Sequence, residues 1–388
     1  MLSSRNVIGS LDELCAIFRS DKRVNLYGAG VRLGLFFQTM DECKMTVRVD
    51  RIFVSSAKGN SGQIRGIPVA EFSRELLTEE DIVLLTLSEC YVEEVEDMLA
   101  GTEAQVYRID FDIIDAIPSD EVRSCIAPFV ETFVTDFPQW NVPDGKYVGC
   151  AWTMWWQGEN AAPDIVRTCW ETQKAYLPHG VEHKIITKDN FREYIDIPDY
   201  VLDKYEKGYI MPAHLSDIVR CCLLYKYGGV WLDSTILMCA PMPEECMRYS
   251  IYTRTTAGRE FNSKAVWAIW FLCAQKGEKL FRFVMEAYFY YFRHYDKIKY
   301  YLMTDYLIGI ACNMFPEICN KLNVIPHNNI GAMELGKHLK EPYNEHDYRK
   351  YTENTFIQKL TRHGKLYAED SIYVHIIKTC GGMKTNGF

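Results

Sequence analysis

The stretch Ser216–Ile236, SDIVRCCLLYKYGGVWLDSTI, constrains the fold of this chain more than any other. Leu215, Ile218, Val219, Cys222 and Leu223 recur at the spacing of one helix face and predict a helix packed on a core. Gly228-Gly229 supplies the stop, because glycine closes a helix in a backbone conformation that other residues resist. Val230-Trp231-Leu232 then reads as a buried strand, with Asp233 emerging at its carboxyl end. Ligands of open α/β sheets bind at such strand ends. Asp217 and Arg220 share another side of the helix. Helix, turn and strand can therefore set Asp217, Arg220 and Asp233 around one crevice.

The amino-terminal third has its own α/β pattern. Val24–Gly34, VNLYGAGVRLG, reads as a strand, a glycine turn and a helix running to about Glu42. Strands are expected at Thr46–Val54, near Gly66-Ile67-Pro68-Val69, at Ile82–Leu87 and at Gln105–Ile109, with an acidic helix over Glu89–Leu99. This alternation predicts a small parallel sheet of the Rossmann type. Gly28, Gly30 and Gly34 can bring a backbone turn against a pyrophosphate at a helix N-terminus, with Asp50 as a ribose partner. The spacing is one residue longer than the dinucleotide fingerprint, and the same glycines can serve only to shape the turn.

With 388 residues the chain is long enough for two domains, expected at 1–125 and 126–388. Residues 1–125 carry a net charge of −9 and the rest none, and all eight tryptophans lie beyond position 139. Without a basic stripe, nucleic acid is excluded as a partner. Fourteen cysteines without a CxxC pair read as reduced thiols of a cytoplasmic protein, not a disulfide framework or zinc site. The apolar stretch Ala265–Ala274, about ten residues, is too short to cross a membrane. Peripheral contact with the inner membrane stays open.

Strands at Tyr147–Met154 and Glu182–Thr187, with a helix starting near Pro163, extend the α/β pattern toward Ser216–Ile236. The ordered segments WWQG (Trp155–Gly158), APDIVRTCWET (Ala162–Thr172), PAHLSD (Pro212–Asp217), SDIVR…LLYKYGGVWLDST and KLT (Lys359–Thr361) resemble the capsular polysaccharide synthesis family. That family is similar to the DXD sugar-binding glycosyltransferases. The resemblance implies a bacterial, retaining, GT-A type Rossmann-like glycosyltransferase domain. Its donor would be a nucleotide-diphosphate sugar and its acceptor a glycan or lipid-linked glycan. It implies that Asp217 and Arg220 hold the donor's ribose and sugar hydroxyls, that Asp233 is the first DXD carboxylate, and that Trp156 stacks on the base. Gly228 and Gly229 would let the backbone approach the donor.

One departure bears on chemistry. Thr235 stands where the second DXD carboxylate, the direct metal ligand, is expected. Mn²⁺ and Mg²⁺ prefer carboxylates to a hydroxyl. Either other carboxylates join Asp233 around a metal, or cations stabilise the leaving diphosphate. Lys359, Arg362 and His363 in QKLTRHGK are the candidates, and reduced metal dependence is the expectation. Two other classes stay open: an NAD(P)-dependent sugar-nucleotide oxidoreductase built on Gly28–Gly34, and a non-catalytic sugar-nucleotide-binding protein. His179 and His183 are not expected to bind zinc, because Gly180 breaks the helix between them. His375, in the apolar run SIYVHII, is expected in a strand-like core segment. The aromatic run Tyr288–Tyr301 suits either the core or a glycan or lipid interface.

Overall fold

Asp81–Leu85 is buried at every position, so this strand needs cover on both faces and neighbours on both edges. The computed structural model shows both; it describes residues 6–56, 58, 60–110, 112–137, 147, 149–256, 263, 266–361 and 367–381. The chain divides into two compact units, Met1–Glu121 with Gly258–Lys264, and Val122–Ala257 with Ala265–Phe388.

The first unit holds β1 (Val7–Ile8), β2 (Arg23–Tyr27), β3 (Arg51–Val54), β4 (Gln63–Ile64), β5 (Ile67–Glu71), β6 (Asp81–Leu85) and β7 (Gln105–Ile109). They form one sheet in the order β1-β7-β6-β2-β3-β5-β4, parallel except for the β4–β5 pair. Chain order reverses between β2 and β6, the Rossmann-like arrangement expected from the alternation. The helices Val31–Glu42 and Glu89–Leu99 lie where the pattern put them. The second strand is shorter than expected: Thr46–Asp50 carries no strand, because pairing with β2 begins at Arg51.

The second unit holds β8 (Cys150–Met154), β9 (Glu182–Ile186), β10 (Gly229–Leu232), β11 (Ile236–Met238), β12 (Ile251–Thr253), β13 (Phe271–Ala274) and β14 (Ile357–Lys359). Its main sheet runs β12-β13-β10-β8-β9. β9, β8 and β10 are parallel, while β13 runs antiparallel to β10 and to β12. This parallel-rich sheet is the Rossmann-like α/β arrangement expected. β11 and β14 form a separate antiparallel ribbon that pairs Ile236 with Lys359. Trp152, Trp231, Phe271 and Tyr288 are fully buried in the core. Among the described residues no helix is long and apolar enough to cross a membrane.

Helix Pro212–Tyr227 is buried on nearly every side from His214 to Leu224, with helix Lys279–His294 packed against it. The polar face expected for Asp217 and Arg220 is therefore inside the protein. His375 departs from its expectation: the run lies in helix Ile372–Cys380, capped by the Ser371 side chain accepting from the Val374 N–H. A side-chain cap at the right position overrides the preference of β-branched residues for strands.

Gly228 and Gly229 have φ of 71° and 95°. A Cβ on Gly229 would stand 2.3 Å from the Cys150 carbonyl, and one on Gly228 would stand 2.6 Å from the Lys276 nitrogen. Both glycines admit neighbouring backbone, since a side chain would meet a strand instead of solvent. Gly229→Ala is expected to cost about 3 kcal/mol, combining backbone strain with overpacking. Urea unfolding should show this, whereas Gly34→Ala, with open space around a helical Cβ, should lose nothing.

Candidate functional site

Asp233 follows β10 at its carboxyl-terminal edge, and the turn carrying it is fixed from several sides. Its N–H donates to the Trp270 carbonyl at 3.0 Å, just before β13. Ser234 Oγ donates to the Met154 carbonyl at 2.6 Å, tying the turn to β8. The Thr235 carbonyl accepts from the Leu360 N–H at 2.9 Å. From helix Asp164–Tyr176, buried Gln173 Nε2 donates to the carbonyls of Asp233 (3.2 Å) and Ile236 (2.8 Å). Gln173 Oε1 lies 2.8 Å from His183 Nε2 on β9, so the imidazole donates through that nitrogen.

The Asp233 carboxylate accepts from two cations. Its Oδ1 takes hydrogen bonds from Arg220 Nη2 and Trp231 Nε1, each at 2.9 Å. Its Oδ2 accepts from Lys359 Nζ at 2.5 Å. Arg220 Nη1 donates to Asp217 Oδ1 at 2.7 Å, and the guanidinium lies 4.8 Å from the Trp231 ring centroid. Thr304 donates to Asp217 Oδ2 at 2.6 Å. With the Thr304 hydrogen so used, the Tyr288 hydroxyl at 2.7 Å donates to Thr304 in turn. One chain of hydrogen bonds thus runs from a core tyrosine to the sheet edge.

Two carboxylates and two cations leave the cluster formally neutral. Burial opposes the charge on Asp233, but Lys359 and then Arg220 outweigh it and hold the carboxyl below its ordinary range. Burial prevails at Asp217 and holds that carboxyl above its range despite Arg220 and Thr304. The side chains of Asp233 and Lys359 remain 24% and 22% exposed, against 10% and 3% for Asp217 and Arg220. Asp233 and Lys359 are therefore the members of the cluster that reach solvent, and Asp217 and Arg220 support them from behind.

Of the residues selected from sequence, Asp217, Arg220, Asp233 and Lys359 come together. Thr235 lies in the same turn, half-buried. Arg362 and His363 lie outside the described residues. Trp156 does not offer its face to a base: it is buried against Phe191 and Tyr205, with ring centroids at 5.0 and 5.8 Å. The half-buried indole at this edge is Trp155. Gly228 and Gly229 sit at the other end of β10, about 15 Å from Asp233 at the usual strand rise, and approach protein backbone instead of a donor.

Trp231, Thr304, Tyr288, Gln173 and His183 were not selected as site residues. Trp231 on β10 bonds Asp233 from two residues away, whereas the other four join the network through tertiary contacts, for which no local pattern speaks. His183 serves Gln173. The donor set does not fit a resident divalent ion. Asp233 brings a lone carboxylate already bonded to two cations, and among the described residues no group of three His, Cys, Asp or Glu side chains is arranged for a metal.

In the first unit Gly28 follows β2 at the reversal of strand order, with φ of 111°. A Cβ there would lie 2.8 Å from the Thr86 carbonyl. Gly30 caps helix Val31–Glu42 and Gly34 lies within it; neither would bring a Cβ within 4 Å of anything. Only Gly28 needs to be glycine for its surroundings. A cavity of about 820 Å³ lined by Arg23, Asp50 and Arg65 opens at the opposite edge of this sheet.

A carboxylate at a parallel strand's end, held by an Asp–Arg pair from the preceding helix, lies where open α/β sheets receive their ligands. Residues 120–376 match the capsular polysaccharide synthesis protein family, and the chain belongs to that family. A comparison with curated proteins finds no match. Among solved structures the chain is similar to a protein described as "PaToxG Glycosyltransferase", at 15% identity and a TM-score of 0.32, covering 63% of this chain and 100% of that one.

Two outcomes follow from the charges. Arg220→Met leaves the buried Asp217 carboxylate without its cation and should cost about 3–5 kcal/mol in urea unfolding. Burial drives the His183 pKa down to about 3. Unfolded, this imidazole takes a proton near its ordinary value of 6.5, so its contribution is present above 6.5 and lost as pH falls toward 3. Stability should drop by about 1.4 kcal/mol per unit across that window, and His183→Gln should flatten the slope.

Proposed function

We propose that the protein is a glycosyltransferase that moves a sugar from a nucleoside-diphosphate donor to a hydroxyl of a glycan or lipid-linked glycan, with retention of anomeric configuration. The observation that carries this reading is the convergence of Lys359 and Arg220 on Asp233 at the strand edge. The C–O bond between the anomeric carbon and the diphosphate breaks, and a new C–O bond to the acceptor oxygen forms on the same face. The departing diphosphate oxygen takes the acceptor's proton. Negative charge grows on the diphosphate as it leaves, and a fixed cation in a partly water-excluded site stabilises it. Lys359 takes that role, exchanging Asp233 for phosphate oxygens as the donor enters. Asp233 then accepts from donor hydroxyls, and Arg220, anchored by Asp217, keeps its carboxylate charged and in place.

On this reading cationic side chains serve where a metal is common, consistent with Thr235 and with the cations already on Asp233. The first unit serves as a nucleotide- or sugar-nucleotide-binding module, and Gly28 at the reversal of strand order supports that role.

The test is a melting screen of the full chain against nucleotide sugars, with Mn²⁺ and with EDTA. A true donor at a hundred times its dissociation constant should stabilise the fold by about 2.7 kcal/mol. Lys359→Met should lower transfer by about 10²–10³-fold with little loss of stability, since both partners are partly exposed. Activity abolished by EDTA and restored only by Mn²⁺ would overturn the cation assignment. Tight donor binding without turnover would favour a sensor.

A further inference from the structure

Among the described residues of the second unit, seven large apolar side chains are exposed: Val134, Tyr209, Met211, Tyr295, Tyr301, Val324 and Ile330. Four of them, Tyr209, Met211, Tyr295 and Tyr301, fall on two loops that touch. The loops follow helices Asp199–Glu206 and Lys279–His294. Lys204 Nζ donates to the Tyr295 carbonyl at 2.8 Å, and Lys297 Nζ lies 5.3 Å from the Tyr209 ring centroid. The rest of the aromatic run is structural, since Tyr288, Tyr291, Phe292 and Tyr300 are buried. The run is therefore core along the helix and exposed at its end.

The charge on these loops differs from that of the whole chain, whose net is −9. Residues 293–301 bring Arg293, Lys297 and Lys299 against Asp296, which pairs with Lys204 at 3.1 Å. Glu206 pairs with Lys188 at 3.2 Å, next to exposed Lys207. Exposed tyrosines and a methionine ringed by lysines match the water interface of an anionic bilayer, where amphipathic rings settle among headgroups and ammonium groups meet lipid phosphates.

The patch also adjoins the site. His214, one helical turn before Asp217, lies 3.0 Å through Nε2 from the Tyr301 carbonyl, and Thr304 just beyond donates to Asp217. We propose that the loops bearing Tyr209, Met211, Tyr295 and Tyr301 dock the protein on an anionic membrane surface, bringing the Asp233–Lys359 edge to lipid-borne acceptors. Only the second clause rests on the glycosyltransferase reading; docking itself is independent of turnover.

Flotation of the full chain with phosphatidylcholine vesicles, with and without phosphatidylglycerol, tests it. Binding is expected only with phosphatidylglycerol and should weaken as salt rises. Each lysine near such a surface is worth about a five-fold factor in partition, so Lys207→Gln with Lys297→Gln should lower binding more than ten-fold. Tyr209→Ser with Tyr301→Ser should do likewise, and Val324→Ser should not. Melting curves must show these variants folded. Equal binding to both vesicles, no binding at low salt, or unchanged binding by both double variants overturns the proposal. Tyrosine variants that keep vesicle binding but lose transfer to a water-soluble acidic glycan would make the patch a glycan subsite instead. Failure to bind any nucleotide sugar would sink the transfer reading while leaving the vesicle result intact.

Discussion

One guanidinium organises the second unit. Arg220 reaches Asp217 with one nitrogen and Asp233 with another while lying over the Trp231 ring, and the guanidinium itself is taken out of water. A buried ion pair returns its desolvation cost only when geometry and further hydrogen bonds are good. Thr304 on Asp217, with Trp231 and Lys359 on Asp233, supply those bonds. The helix, the strand and the helical layer bearing Thr304 and Tyr288 must therefore stand in one arrangement. This arrangement also leaves Asp233 and Lys359 facing outward, so what holds the fold together shapes the site as well.

How much of this was legible follows from range. Asp217, Arg220 and Asp233 sit within one helix–turn–strand, and local periodicity places all three. Lys359 is far along the chain, and only resemblance brought it forward. Thr304 and Gln173 look like ordinary helix residues, since nothing nearby in sequence tells which carboxylate or carbonyl they meet. The Trp155–Trp156 pair shows a finer limit. Past the end of a strand, alternation no longer fixes which side chain turns inward, and packing on Phe191 and Tyr205 made the choice. The glycine pair was read for its freedom, correctly, but the neighbour that needs the space is β8 and the segment after β13, not a ligand.

The first unit illustrates the same division between pattern and place. Strand–helix alternation specified its parallel sheet, and the acidic helix Glu89–Leu99 was readable to its ends. The glycines carried less information than their spacing suggested. Gly28 is pinned by the strand beside it, whereas Gly30 and Gly34 face open space. A fingerprint one residue too long thus keeps the turn without reproducing the close helix–strand contact that the third glycine of a dinucleotide fold provides.

The Lys359–Asp233 bond spans 126 positions, and the strand bearing Lys359 enters as the partner of β11. During synthesis, β10 and its helix leave the ribosome well before that lysine is made. Until then Arg220 must balance two acids alone, and the emerging chain carries an unmatched negative charge at what will become its working edge. Asp233 therefore lacks one of its two cations until the last short strand pairs with β11. Cleavage anywhere between Met238 and Ile357 would leave the lysine tethered only by noncovalent packing, turning a permanent feature of the molecule into one that depends on concentration.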